Sequence, residues 1–108
     1  MPPISLPEHE VLEGSREAAC LFSAVSRDRG AAAGFWSCGV GRYEFEFDYD
    51  EFFLLLEGRV EIHQAGEAPL VVEPGDSVHV PQGITTTWIV TAPLKKYFVA
   101  RAPYPEPD

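Results

Sequence analysis

The stretch from Arg42 to Gly58 leaves this chain little freedom of fold. Its first part, Arg42-Tyr-Glu-Phe-Glu-Phe-Asp48, alternates without a break, with Tyr43, Phe45 and Phe47 on one side and Glu44, Glu46 and Asp48 on the other. Successive side chains of an extended backbone point to opposite faces, so a period of two predicts a strand with its aromatic face buried. The second part, Glu51-Phe-Phe-Leu-Leu-Leu-Glu-Gly58, is apolar on both faces between two carboxylates and closes on a glycine. In an antiparallel protein such a strand lines the core with one face and needs cover on the other. In a chain of 108 residues the expected cover is a second copy, which predicts a homodimer, with the N-terminal arm crossing to the partner.

Shorter pieces repeat the strand pattern. Residues 1–18 hold three prolines and mixed charge, and read as an extended arm with a turn of helix over 7–12. Residues 18–25 are apolar enough for an early strand, and 26–30 turn the chain by composition. Strand residues at 34–41 are interrupted by glycines, which suit a bend or a close backbone approach. Residues 59–63 alternate again, with Val60 and Ile62 inward, and 64–69 read as a hairpin loop. A short strand at 70–73 precedes the tight turn Pro74-Gly75-Asp76, and a strand at 77–80 ends at Pro81. Residues 84–90 are rich in β-branched side chains; Ala92-Pro93 predicts a break before a last strand at 94–100. Eight or nine short strands with glycine and proline turns, and no helix of ordinary length, define an all-β sandwich or barrel. One domain is expected: an arm and first strand over 1–30, a barrel over 31–102 and a tail over 103–108.

Composition narrows the function classes. An apolar content of 45% suits a globular chain with its own core. The longest apolar run, 52–56, is far too short for a membrane helix. The first 30 residues carry Glu8, Glu10, Glu13 and Glu17 and lack a basic start followed by an apolar block, so no secretory signal is read and the cytoplasm is the expected compartment. Cys20 and Cys38 lack CxxC spacing and read as small core residues rather than a redox pair. A net charge of −9 argues against nucleic acid and against anionic membranes as partners. Residues 31–65 hold two basic and seven acidic side chains, an acidic rim that would attract a cationic ligand and also serves solubility.

Glu51 and Gly58, followed seventeen residues on by Gly75, Pro81 and Gly83, resemble the two sequence boxes of the cupin family over residues 34–101. Gly34-Phe-Trp36, Phe45-Glu-Phe47, Glu51, Trp88 and Lys96-Tyr97 resemble more closely a cupin subgroup of unknown function, related to the ethanolamine-utilisation and ureidoglycine aminohydrolase cupins. The resemblance implies a double-stranded β-helix, or jelly-roll barrel. In a metal-binding cupin, three histidines and one carboxylate hold a divalent transition ion. Here the first two histidine positions fall on Glu44 and Glu46 or on Phe45 and Phe47, depending on loop length, and alternation favours the phenylalanines as the inward pair. Thr86 stands at the third position, and Glu51 alone matches. No metal or other cofactor is therefore expected; a divalent ion at Glu51 is the secondary reading.

Glu51 is the candidate catalytic residue, as general acid or base, with two other roles open: an anchor for a ligand amine, or a structural carboxylate bonded to a Tyr or Lys. Trp36, Tyr43, Phe45, Phe47 and Trp88, with Thr86 and Lys96, are the candidate ligand-binding residues, since aromatic walls suit flat or cationic ligands. The same rings also read as core filling, and Trp88, sharing parity with Thr86 and Val90, is bulky enough to plug a cavity. Lys95 and Lys96 alternate, so one faces inward, and Lys96 is the candidate partner of Glu51. His63 and His79 lie on separate strands, with His79 reading as a surface position. No nucleophile elbow, phosphate loop, GxGxxG or HExxH occurs. The expected function is a small-molecule-binding barrel without the three-histidine metal site. The alternative is a small-substrate enzyme, aminohydrolase- or isomerase-like, using Glu51 as acid/base or sole carboxylate ligand. A filled barrel that acts only through its dimer surface is a third reading.

Overall fold

Two long strands, β6 (Asp50–His63) and β9 (Thr85–Arg101), pair antiparallel and carry the rest of the architecture in a computed structural model that describes residues 1–101. The expected tail over 103–108 lies outside the described residues. On one side β9 is flanked throughout by β6; on the other it pairs first with β5 (Gly41–Glu46) and then with β4 (Ala31–Cys38). Beyond β4 lie β3 (Glu17–Val25) and β1 (Pro3–Ser5), and beyond β5 lies β2 (Val11–Gly14). The free edge of β6 receives β7 (Leu70–Val72) and β8 (Ser77–Val80). All nine strands form one antiparallel sheet curled around a single apolar core, the cupin jelly-roll expected from the sequence.

Period-two burial explains the core. In β9 the even positions Thr86, Trp88, Val90, Leu94, Lys96 and Phe98 are buried. In β6 the odd positions Glu51, Phe53 and Leu55 are buried, but beyond the bulge the even positions Val60 and Ile62 take over. A parity change needs one extra residue, and the β6–β9 register slips between Leu55 and Val60 to supply it. Gly58 sits in that bulge at φ +94°, where an added Cβ would lie 2.3 Å from the Pro93 carbonyl oxygen. The two separate strands expected at 51–57 and 59–63 are therefore one bulged strand.

Two other expectations are corrected. Ala92-Pro93 does not break the chain: β9 runs through it, because the pairing with β5 ends at Val90 and that with β4 begins at Leu94. Pro93 falls in that gap, where its missing amide hydrogen costs no ladder bond. The N-terminal arm does not reach away toward a second subunit. Pro3–Ser5 pairs with β3 and Val11–Gly14 with β5 of its own chain, joined by a single 3-10 turn at Glu8–Glu10. Its Leu6 is buried in the core. Gly34 marks the close backbone approach foreseen for its stretch, since a Cβ there would meet the Leu21 carbonyl oxygen at 2.2 Å.

Candidate functional site

The inward faces of β4, β6 and β9 meet at one end of the barrel, and register sets who meets whom. Cys20 of β3 opposes Trp36 of β4, Trp36 opposes Lys96 of β9, and Lys96 opposes Leu55 of β6. Further along, Ala32 opposes Ala100, and Ala100 opposes Glu51. These small residues leave open the space that bulkier ones would fill. The result is a cavity of about 640 Å³, walled by Trp36, Phe45, Phe47 and Phe98, with Glu51 and Lys96 among its lining residues. The folded-back N-terminal segment also lines it, through Ile4, Leu6 and Glu10, as does the turn that carries Arg29.

Glu51 and Lys96 form a buried ion pair. Lys96 Nζ donates to Glu51 Oε2 at 2.5 Å, and both side chains are more than nine-tenths buried. Four rings surround the ammonium: those of Trp88 at 4.8 Å, Trp36 at 5.0 Å, Phe53 at 5.0 Å and Phe98 at 6.0 Å from Nζ to centroid. The negative faces of aromatic rings stabilise a cation, most strongly where water is excluded. An apolar barrel thus tolerates a buried charge pair because the anion is matched by the cation and the cation is also held by the rings.

The candidates named from sequence divide into two groups. Glu51, Trp36, Phe45, Phe47 and Lys96 line the cavity. Tyr43, Thr86 and Trp88 lie behind it, fully enclosed in the core. Trp88 packs against Phe45, Phe47 and Phe53 and donates from Nε1 to Thr86 Oγ1 at 2.9 Å. Thr86 in turn donates to the Phe45 carbonyl at 3.2 Å, so its hydroxyl is engaged on both sides. Tyr43 stacks on Phe45 and donates its hydroxyl to the Gly39 carbonyl. These three residues support the wall that faces the cavity. His79 stays on the outside, stacked on Phe52 and bonded to Asp50, and His63 contacts Glu61.

Sequence reasoning missed the contribution of the N-terminal segment, together with Phe22, Tyr49 and Cys20. Burial raises the pKa of the Tyr49 hydroxyl well above its ordinary value, with the Glu51 carboxylate adding to it. Burial likewise raises Cys20, opposed by the Lys96 charge, and pushes the Cys38 thiol up to about 11. Burial also raises Glu10, with His9 opposing. Apart from Lys96 and Arg29, the charged groups lining the cavity are the acidic Glu10, Glu46, Asp48 and Glu51.

The donor set does not fit a transition metal. Of the two pairs that fall at the first two imidazole positions of metal-binding cupins, Phe45 and Phe47 turn inward and have no donor atom, whereas Glu44 and Glu46 are exposed, with Glu46 also lining the cavity; Thr86, at the third position, spends its hydroxyl on Trp88 and Phe45. The remaining carboxylate is paired with an ammonium. Among the described residues no group of three or more His, Cys, Asp or Glu side chains is placed to hold an ion.

Curled antiparallel sheet, bulged β6 and an inward carboxylate on its first turn inside the barrel define a small cupin. Residues 25–98 match the EutQ-like cupin domain, and the chain belongs to that family. It is 28% identical over 82 residues to the acetate kinase EutQ of Escherichia coli (strain K12), an alignment that takes in 74% of this chain and 35% of that protein. The chain thus spans about a third of the length of that curated relative. Among solved structures, an ethanolamine utilization protein Q of Salmonella typhimurium superposes with a TM-score of 0.68 at 22% identity, over 78% of this chain and 68% of that one. A Thermotoga maritima protein from a domain-of-unknown-function family superposes at 0.57 with 31% identity, over 59% of this chain and 73% of the other.

Proposed function

We propose that this barrel binds a small organic molecule in the cavity floored by Glu51 and Lys96, without a metal ion. The observation that carries this is the open cavity of about 640 Å³ beside a complete, internally neutralised ion pair. A space of several hundred Å³ with apolar walls and a few convergent polar groups is the usual form of a small-molecule site. It speaks against a barrel filled solid. The walls suit a flat, largely apolar body. At the floor, the N–H groups of Lys96 face a ligand's carbonyl or hydroxyl oxygen. Among the charged lining residues beyond the ion pair, Glu10, Glu46 and Asp48 outnumber Arg29, a balance that favours a positive end and disfavours anions. That charge disfavours a nucleotide polyphosphate, so the kinase activity in the name of the Escherichia coli relative is not carried over to this chain.

An enzymatic reading rests on the same two residues: Glu51 as acid or base toward a bound substrate, with Lys96 holding the substrate oxygen. Glu51→Gln separates the roles, because a catalytic base loses turnover and keeps binding, whereas an anchor loses binding. The binding reading itself is tested by a thermal-shift screen of neutral and cationic aromatic fragments on the wild type and on Ala32→Trp, which fills the cavity from β4. Fragments should stabilise the wild type only; equal shifts in both chains would overturn the reading.

The proposal includes a homodimer through the outer face of the sheet. Phe52, Leu54 and Leu56 of β6 and Val99 of β9 are exposed there, and Leu54 opposes Tyr97, which opposes Phe35 and then Leu21. A continuous apolar row across four strands calls for cover in water. The cytoplasm remains the proposed compartment, supported by two free cysteines, one of them lining the cavity. Among the described residues no helix is long and apolar enough to cross a membrane.

A further inference from the structure

The geometry points to Lys96 as a covalent site for carbonyl compounds: an aldehyde or ketone entering the cavity condenses with its side-chain amine, with Glu51 moving the protons. The inference rests on the small-molecule reading of the cavity and adds to it the chemical class of ligand. Three observations carry it. Lys96 is buried yet lines an open cavity, so a ligand reaches an amine that bulk water does not solvate. A carboxylate is bonded directly to that amine, placed to take its proton. Four rings surround the nitrogen, and two of them, Trp36 and Phe98, are apolar wall of the cavity. Lysine amines in desolvated, apolar pockets serve as nucleophiles toward carbonyl compounds, and here the bonded carboxylate is the group placed to carry the protons of the condensation.

The step balances without any further reactant. Lys96 passes one proton to Glu51, and its nitrogen lone pair adds to the carbonyl carbon as the C=O π pair moves onto oxygen. Glu51 returns the proton to that oxygen, takes another from nitrogen, and gives it to the hydroxyl, which leaves as water while the nitrogen lone pair forms the C=N bond. One ammonium and one carbonyl become one iminium and one water, and Glu51 ends as the carboxylate it was. The starting ammonium and the product iminium carry the positive charge on the same nitrogen, so the ring cage and Glu51 stabilise the product as they do the free lysine. Carbonyl compounds bearing a carboxylate or phosphate are disfavoured by Glu10, Glu46 and Asp48, which outnumber Arg29 in the lining. The favoured class is neutral or cationic.

The chain has only two lysines, Lys95 and Lys96, which makes the test clean. Full-length protein is treated with benzaldehyde and sodium cyanoborohydride, which reduces an iminium to a stable benzylamine, and the label is located by intact mass and peptide mapping. Benzyl alcohol, which has the same body and no carbonyl, is tested in parallel by thermal melt. The expected result is one benzyl group on Lys96, gained about tenfold or more faster than on Lys95 or the Met1 amine, and retained in Lys95→Arg, where Lys96 is the sole lysine. Glu51→Gln should slow labelling on the order of 100-fold, as loss of a general base does; the wild-type and Lys95→Arg chains decide the matter even if that variant does not fold. If benzyl alcohol raises the melting temperature while label appears only on Lys95 and Met1, the covalent site is overturned and the cavity reading stands. If benzyl alcohol has no effect and Lys96 stays unlabelled, both fail.

Discussion

Lys96 Nζ sits 2.5 Å from Glu51 Oε2 in the cavity lining, so the carboxylate that matches the metal-binding cupin pattern is paired with a cation from β9. The two residues are one strand apart, on β6 and β9, and both face inward because each shares the buried parity of its strand. The rings of Trp36, Phe53, Trp88 and Phe98 close around the ammonium.

Removing one half of a buried pair leaves the other charge uncompensated. Lys96→Met keeps the volume and should lower unfolding free energy by about 3–5 kcal/mol. Lys96→Met combined with Glu51→Gln should recover much of that loss. Urea unfolding of the four chains measures the coupling; strictly additive losses would show that the two side chains do not act as a pair.

Cys38 sets a sign for the alkaline limb of stability. Its folded thiol is raised by burial from 9.0 to about 11, so the folded state holds the proton more tightly than the unfolded chain does. That contribution is complete below pH 9.0 and is lost as pH climbs toward about 11. The stability of the wild type should therefore fall relative to Cys38→Ala across that window, read from urea midpoints at stepped pH. A constant difference would remove Cys38 from the explanation.

Gly58 fixes the bulge that turns β6 from odd to even burial. At φ +94°, with the Pro93 carbonyl 2.3 Å from any added Cβ, Gly58→Ala has both backbone strain and a main-chain clash. A loss of more than about 1 kcal/mol is expected in thermal or urea unfolding. Gly66→Ala, also at positive φ but with open space around it, should cost less.

The outer face of the sheet gives the oligomer its test. Leu54→Asp places a charge in the middle of the apolar row formed with Tyr97, Phe35 and Leu21. Sedimentation should show a dimer for the wild type and a monomer for the variant, with the fold retained because Leu54 is outside the core. A wild-type monomer would remove the dimer from the proposal.

Much of this was legible in the chain, and the gaps have physical causes. Strands with one buried face announce themselves, so 42–48 and 84–90 could be read directly, and the glycine and proline spacing from Gly58 to Gly83 identified the barrel. Alternation also said that one of Lys95 and Lys96 faces inward, without saying which; in the structure it is Lys96. β1 and β2 carry no such signal: nearly every residue in them is exposed, and a strand without a buried face has no period. Parity says which side chains point inward but not how far along the barrel they lie. Tyr43, Thr86 and Trp88 therefore shared a list with Trp36 and Phe45, although only the latter two reach the cavity. The break expected at Pro93 failed because β9 exchanges partners there, a tertiary feature no local pattern contains.

The most direct measurement follows the ammonium itself. Protein carrying 15N in its lysine side chains, dialysed against chelator, has two signals to watch, one from Lys95 and one from Lys96. Titration with small neutral and cationic aromatic fragments should move the Lys96 signal to saturation and leave Lys95 in place, and should move neither signal in Ala32→Trp. A Lys96 signal that no fragment moves, or that moves only once a divalent metal is restored, would contradict a metal-independent site built on Glu51 and Lys96.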